Sequence, residues 1–375
     1  MPMPGRGWIP PVIAALVLCA CGGSAPASKS ASSSPSSSAS ASATPASRSL
    51  IVVSERDPDS TTAATLRLLR PDGSQVQSLT VKAGAELLAA AGARIFVRSG
   101  SALKAIHQDG SVEELGDLGL SSASFARFAA SPDGTRWMWG TFDQNGQGQV
   151  HLAGDGLSAR VVAQSSENGR AIEPYTWTPA GAFLADEPVG IGGYILFDPA
   201  SGPVKKLDPA SFTTSAVSHT DGCAFSDMSR DGTIACFGSS GGQNARSLIL
   251  FTPDGKQQTI QLATPRFNQE GDAYFSRDGA TLTVAGATNA GSQGQPEQFG
   301  TDLVTVKDGS IRRLSIDGVR LPSFLRWQSW LQDGSLVVWR PSGAAGGAAG
   351  VFVVSPTGQA KQISNGGFPI GLLTG

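Results

Sequence analysis

The chain has 375 residues, 15% of them charged, and a formal net charge of -2 that offers no basic face for nucleic acid. Forty-seven glycines against four methionines, with abundant Val, Leu, Thr and Ser, describe short strands and tight turns rather than long helices. The expected fold class is all-β, and length alone leaves open one large domain or two.

At the N-terminus, Arg6 precedes an apolar run from Trp8 to Leu18. It is shorter than the roughly 20 residues a spanning helix needs and has the length of a signal-peptide core. The run ends in Leu18-Cys19-Ala20-Cys21-Gly22-Gly23-Ser24, which resembles the lipobox of bacterial lipoproteins. In that pattern Leu18 is the aliphatic residue at -3, Ala20 the small residue at -1, and Cys21 the lipid acceptor. Cys19 is a competitor, but it would put Leu18 at -1, where the pattern takes Gly, Ala or Ser. A plain secretory signal without lipid is the other alternative. The resemblance implies a signal peptide over 1–20, acyl chains on Cys21, and anchorage to the outer face of the cell membrane. At about 0.8 kcal/mol per buried methylene, several acyl chains hold a protein there without a spanning helix, and no later segment is apolar enough to span.

Residues 21–49 are a tether. From Ser24 to Ser49 the chain is Ser, Ala, Pro and Thr apart from Lys29 and Arg48, too poor in apolar surface to fold. Folded structure is expected from Leu50 to the end, residues 50–375.

Beyond Leu50 a turn motif recurs: Ser131-Pro132-Asp133-Gly134-Thr135, Thr178-Pro179-Ala180-Gly181-Ala182, Ser229-Arg230-Asp231-Gly232-Thr233, Ser276-Arg277-Asp278-Gly279-Ala280 and Leu331-Gln332-Asp333-Gly334-Ser335. Its spacing of roughly 50 residues is that of a four-stranded propeller blade, well above ankyrin or leucine-rich repeats. The Gly tolerates positive φ and the Asp side chain caps the bend, so each motif joins two antiparallel strands. A second series alternates with the first: Asp72-Gly73, Asp109-Gly110, Asp155-Gly156, Asp254-Gly255, Asp308-Gly309 and the degenerate Thr357-Gly358. It marks the turn between the third and fourth strands of each unit. The count gives a single β-propeller of seven four-stranded blades, or six if the first two units are atypical. The first unit offers three strands, and Phe368 to Leu373 is left over at the C-terminus. That strand is expected to close the ring, which removes two exposed edges.

The Ser-Pro-Asp-Gly-Thr form, preceded by aromatics such as Phe128, Trp177, Phe225 and Phe275, resembles the WD40-like repeats of TolB-type propellers over residues 50 to 373. The separate α/β domain that accompanies the propeller in TolB has no counterpart in this sequence.

Cys223 and Cys236 flank the Asp231-Gly232 turn close to cross-strand register, which in an exported protein reads as a disulfide. A metal or redox pair would call for Cys-x-x-Cys spacing or nearby histidines. There is no Gly-x-Ser-x-Gly elbow, and 238–242 has the wrong spacing for one. His107, His151 and His219 fall in different units without a His-Glu-x-x-His pair, and 343–350 lacks the Lys-Ser/Thr of a phosphate loop. No catalytic residue, metal or cofactor is indicated.

Propellers generally bind where the innermost strands begin. By position those residues are Arg127, Glu173, Tyr175, His219, Asp221, Glu270, Asp272, Arg326 and Gln328. Converging charged and aromatic groups there suit a protein or cell-wall partner, whereas the Trp327 and Trp330 pair reads as blade packing. The sequence therefore leads to a non-enzymatic envelope binding scaffold. A lyase or cyclase using His219 with Glu173, Asp221 or Glu270 is the alternative, and a small-molecule sensor is a third reading.

Overall fold

The computed structural model describes residues 49–374 apart from 57–59, 121–123, 144–146, 166–169, 189–199, 201, 239–246, 263–266, 268, 289–297 and 323. The expected signal segment, Cys21 and the expected tether through Arg48 lie outside the described residues.

The chain forms antiparallel blades in sequence order. β1 (Leu50–Ser54), β2 (Ala64–Leu69) and β3 (Gln75–Val81) open the ring. The second blade is β4 (Glu86–Ala91), β5 (Arg94–Ser99), β6 (Ala102–Ile106) and β7 (Val112–Asp117). The third is β8 (Ser124–Ala130), β9 (Arg136–Phe142), β10 (Gly148–Gly154) and β11 (Leu157–Gln164), and the fourth β12 (Arg170–Thr178), β13 (Gly181–Pro188), β14 (Val204–Asp208) and β15 (Thr213–Ala216). The fifth is β16 (Ala224–Met228), β17 (Ile234–Phe237), β18 (Ser247–Phe251) and β19 (Gln257–Gln261). The sixth is β20 (Gln269–Gly271), β21 (Thr281–Thr288), β22 (Gln298–Thr305) and β23 (Ile311–Arg313), and the seventh has β24 (Leu336–Arg340), β25 (Gly350–Val354) and β26 (Ala360–Ser364). The last strand, β27 (Phe368–Leu373), pairs antiparallel with β1 from Leu50↔Leu373 to Ser54↔Phe368 and becomes the innermost strand of the first blade. The ring is thus a seven-bladed propeller closed by its C-terminal strand, as the repeat count anticipates. The seventh blade departs from four strands: its innermost position is a 3-10 turn at Arg326–Ser329 followed by a single Trp330↔Leu336 bridge.

Both turn series sit where the sequence places them, and their chemistry repeats. In the third blade Gly134 has φ 71, and Asp133 accepts from Ser131 Oγ at 2.5 Å, Thr135 Oγ1 at 2.9 Å and the Thr135 amide at 3.1 Å. Asp231 and Asp278 accept in the same way from the Ser two positions before and the amide two positions after. Gly134 also lets blades meet, because a Cβ on it would strike the Ala91 carbonyl of the neighbouring blade.

Strand alternation explains why the middle strands read as unbroken apolar runs. Leu50 and Val52 of β1 face the second blade, in a cluster with Leu87, Ile95 and Val97, while Ile51 and Val53 face the seventh, beside Leu331 and Val337. Trp137 and Trp139 of β9 pack toward Phe96 and Leu103, and Met138 between them packs toward Leu184 and Trp177. Phe183 of β13 and Phe225 of β16 meet between the fourth and fifth blades with ring centroids 5.5 Å apart. Both faces of a blade are buried, so period-2 alternation distributes hydrophobics between two cores rather than between core and water.

Cys223 and Cys236 form the expected disulfide, with Cα atoms 5.6 Å apart. The innermost strands of the fifth and sixth blades are tied by side chains: Ser226 Oγ accepts from the Ala273 amide at 2.9 Å and Asp227 Oδ2 from the Phe275 amide at 2.9 Å.

Candidate functional site

The site is built by the segment that enters the seventh blade. Pro322 cannot donate from its own nitrogen, and its carbonyl accepts from the amides of Leu325 and Arg326, turning the chain across the ring. Arg326 adopts φ 46, a left-handed conformation costing a side-chain-bearing residue on the order of 1 kcal/mol or more. The turn carries Trp327 to the opposite side, where its Nε1 donates to the Trp177 carbonyl of the fourth blade at 2.7 Å. From the sixth blade, Arg277 lies over the Trp327 ring at 5.5 Å and donates from Nε to the Trp330 carbonyl at 3.0 Å. Trp327, which sequence reasoning assigned to blade packing, is the bolt of a segment that crosses the channel.

Between this segment and the inner strands β4, β8 and β12 lies a cavity of about 350 Å³. Its walls include Glu86, Phe125, Arg127, Tyr175, Trp177 and Arg326. The volume is at the lower end of small-molecule sites.

Of the nine channel-mouth residues Arg127, Tyr175, Arg326 and Gln328 line this cavity, and Glu173 and Asp272 act on its arginines. Arg127 Nε lies 3.3 Å from Glu173 Oε1, and the Arg326 guanidinium sits over the Tyr175 ring at 4.7 Å. Asp272 accepts from the Tyr274 hydroxyl at 3.1 Å, and its own φ of 53 ends β20. Burial pushes the Glu173 carboxyl up against the opposing charges of Arg127 and Arg326, and pushes Asp272 up against Arg320 and Arg326. Burial also pulls the Arg326 guanidinium down, but Tyr274, Tyr175, Asp272 and Glu173 together outweigh it and hold it above the usual arginine value. Arg326 Nη1 is sealed from solvent with no hydrogen-bond acceptor.

Gln328 is buried within the 3-10 turn, and the other three positions go elsewhere. Glu270 is buried on β20 with Oε2 lacking a partner, and burial, reinforced by Asp302, raises its carboxyl to about 7. His219 and Asp221 are exposed in the loop before β16, and His219 stacks on Phe251 of β18 at 4.6 Å. The strand they were expected to begin starts only at Ala224. His219 at φ 64 belongs to the turn that delivers Cys223 to its disulfide. Among the described residues His219 makes no hydrogen bond or ion pair with Glu173, Asp221 or Glu270, the partners the lyase or cyclase reading offers it. The other histidines are also placed: His107 lies 3.0 Å from Glu113 Oε2, and His151 stacks on Trp139 at 5.0 Å. Among the described residues no group of three or more His, Cys, Asp and Glu side chains is arranged to hold a metal ion.

Sequence reasoning missed Asp227. It is fully buried on β16, accepts from the Met228 and Phe275 amides at 2.8 and 2.9 Å, and is pushed up to about 7 by burial. The available signal was a carboxylate inside an apolar inner strand, between Phe225 and Met228.

No protein-family model matches the chain, and no curated protein matches it. Among solved structures, an oligogalacturonate lyase from Vibrio parahaemolyticus superposes at TM-score 0.50 with 12% identity, covering 83% of this chain and 92% of that one. A structure described as a putative 6-phosphogluconolactonase from Bacteroides uniformis gives TM-score 0.50 and 12% identity, covering 86% of this chain and 98% of that one. TolB from Acinetobacter baumannii gives TM-score 0.41 and 18% identity, over 71% of this chain and 65% of that one. At these identities the first two likenesses show the β-propeller fold, and fold alone does not choose a function.

Proposed function

We propose that this protein is an extracytoplasmic, lipid-anchored propeller that acts as a binding scaffold for an envelope protein or cell-wall component, without catalysing a reaction. The observation that carries the reading is the cavity beside the crossing segment. Its polar walls are held in fixed pairs, Arg127 with Glu173 and Arg326 over Tyr175, and all three histidines stand in other surroundings. Such a site presents charge and aromatic surface in a preset arrangement, which favours recognition by sparing the ordering cost of binding. The lipobox-like N-terminus and the Ser/Ala-rich tether supply the anchor and the reach.

The test is a photo-crosslinking residue placed at Phe125, on the cavity wall, in cells irradiated intact. A discrete adduct from Phe125, absent when the crosslinker stands at Val161 on the outer strand of the same blade, is expected. Adducts of equal identity and yield from both positions would overturn the reading.

A further inference from the structure

Among the described residues Arg326 makes no salt bridge, although Glu173 and Asp272 act on it through space. Arg127 is engaged by Glu173 at 3.3 Å, and Asp272 has Arg320 and the Tyr274 hydroxyl beside it. The remaining carboxylate near Arg326 is Asp227, whose two oxygens already accept the amides of Met228 and Phe275. An arginine stays charged in a protein interior. Arg326 thus combines a guanidinium whose opposing charges act through space rather than through a salt bridge, a left-handed backbone and an Nη1 without an acceptor, on the wall of a cavity of mixed polar and apolar lining.

We propose that this cavity binds a small monocarboxylate carrying an apolar or planar body, with the carboxylate on the guanidinium of Arg326 and the body against Phe125, Trp177 and Trp327. The inference rests on the binding-scaffold reading and names the ligand chemistry of the same site. A carboxylate matches the planar fork of N–H donors. A doubly charged phosphate would set its second charge against Glu173 and Asp272. An oxyanion in the cavity would supply the guanidinium of Arg326 with the acceptor it lacks. The source of the carboxylate, a free metabolite or the end of a larger envelope component, is separated by comparing small probes with the adduct captured from cells.

The test uses the full-length protein in detergent, titrated with sodium benzoate, benzamide and phenylphosphonate at matched ionic strength, and followed by tryptophan fluorescence and thermal unfolding. Benzoate at ten times its Kd is expected to raise Tm by about 2 °C, with benzamide at the same concentration giving no rise and phenylphosphonate binding more weakly than benzoate. Arg326→Gln abolishes the benzoate response, and Arg326→Lys, which keeps charge but loses the fork, weakens it about tenfold. Equal responses to benzoate and benzamide, no response to either, or tighter binding of phenylphosphonate would each overturn the assignment on wild-type protein alone, whether or not the variants fold. Failure here with a position-specific adduct from Phe125 removes the carboxylate inference and leaves the scaffold reading standing. Loss of that adduct with benzoate still binding removes the scaffold reading instead.

Discussion

Asp227 gives the sharpest physical test of how the inner ring is held. Its carboxyl is fully buried and raised from an ordinary value of 3.8 to about 7, chiefly by burial. The folded state therefore holds this proton more tightly than the unfolded chain. The contribution to stability is fully present below about pH 4 and is lost as pH rises through 7. Between pH 5 and pH 7.5 the two values correspond to a loss of about 2 to 3 kcal/mol. Asp227→Asn removes the titration and turns one of the two amide contacts into a donor–donor clash, costing about 1 to 3 kcal/mol at pH 5. Urea unfolding of wild type and Asp227→Asn at pH 5.0, 6.0 and 7.5, read by tryptophan fluorescence, checks both parts. The difference between the two proteins should shrink as pH rises. The turn carboxylates Asp133, Asp231 and Asp278 are shifted downward and stay ionised throughout this range, so they do not blur the result. A gap that stays constant from pH 5 to 7.5 would refute the buried-proton argument.

Three further outcomes can be measured, two from the geometry and one from the sequence of the N-terminus. Gly92→Ala, at φ 56 with a methyl overlapping the Asp133 carbonyl, should cost more than about 2 kcal/mol, while Gly255→Ala, at φ 81 in open space, should cost about 1 kcal/mol, both measured by urea denaturation. Replacing Cys223 and Cys236 together by Ala opens a short loop with a sequence separation of 13 and should lower stability by about 3 kcal/mol, detectable as a lower urea midpoint that reductant no longer affects. Cys21→Ser should move the protein from the membrane pellet to the soluble exported fraction, whereas an unchanged pellet fraction would argue against lipid on that residue.

The fold was legible because its determinants are local. Each Asp-Gly turn carries its own chemistry, with Asp133, Asp231 and Asp278 each capping a bend, so blade boundaries can be read without knowing what packs on what. Ring closure followed from an unpaired strand at each end, and β27 pairs with β1 accordingly. The channel was harder. Strand starts were inferred by analogy between units, and the units differ there: Arg326 and Asp272 turn left-handed and interrupt the strand, and His219 sits in a turn before it. Positive φ at a residue with a side chain is imposed by surrounding contacts and leaves no mark on composition or period. Arg127 lies on β8 and Glu173 and Tyr175 on β12, strands whose register shifts at Phe125–Phe128 and Pro174–Thr176 the repeat does not encode. The crossing of Trp327 to Trp177 joins residues 150 apart in sequence, a pairing that no periodicity encodes.

The central claim, that partners are recognised at the channel rather than on the blade rims, is tested most directly by amide hydrogen exchange on the full-length protein with and without the partner captured from Phe125. Protection gathered in β4, β8 and Phe324–Gln328 is the result expected. Protection confined to outer strands such as β7 and β11, with the crossing segment unchanged, would contradict it.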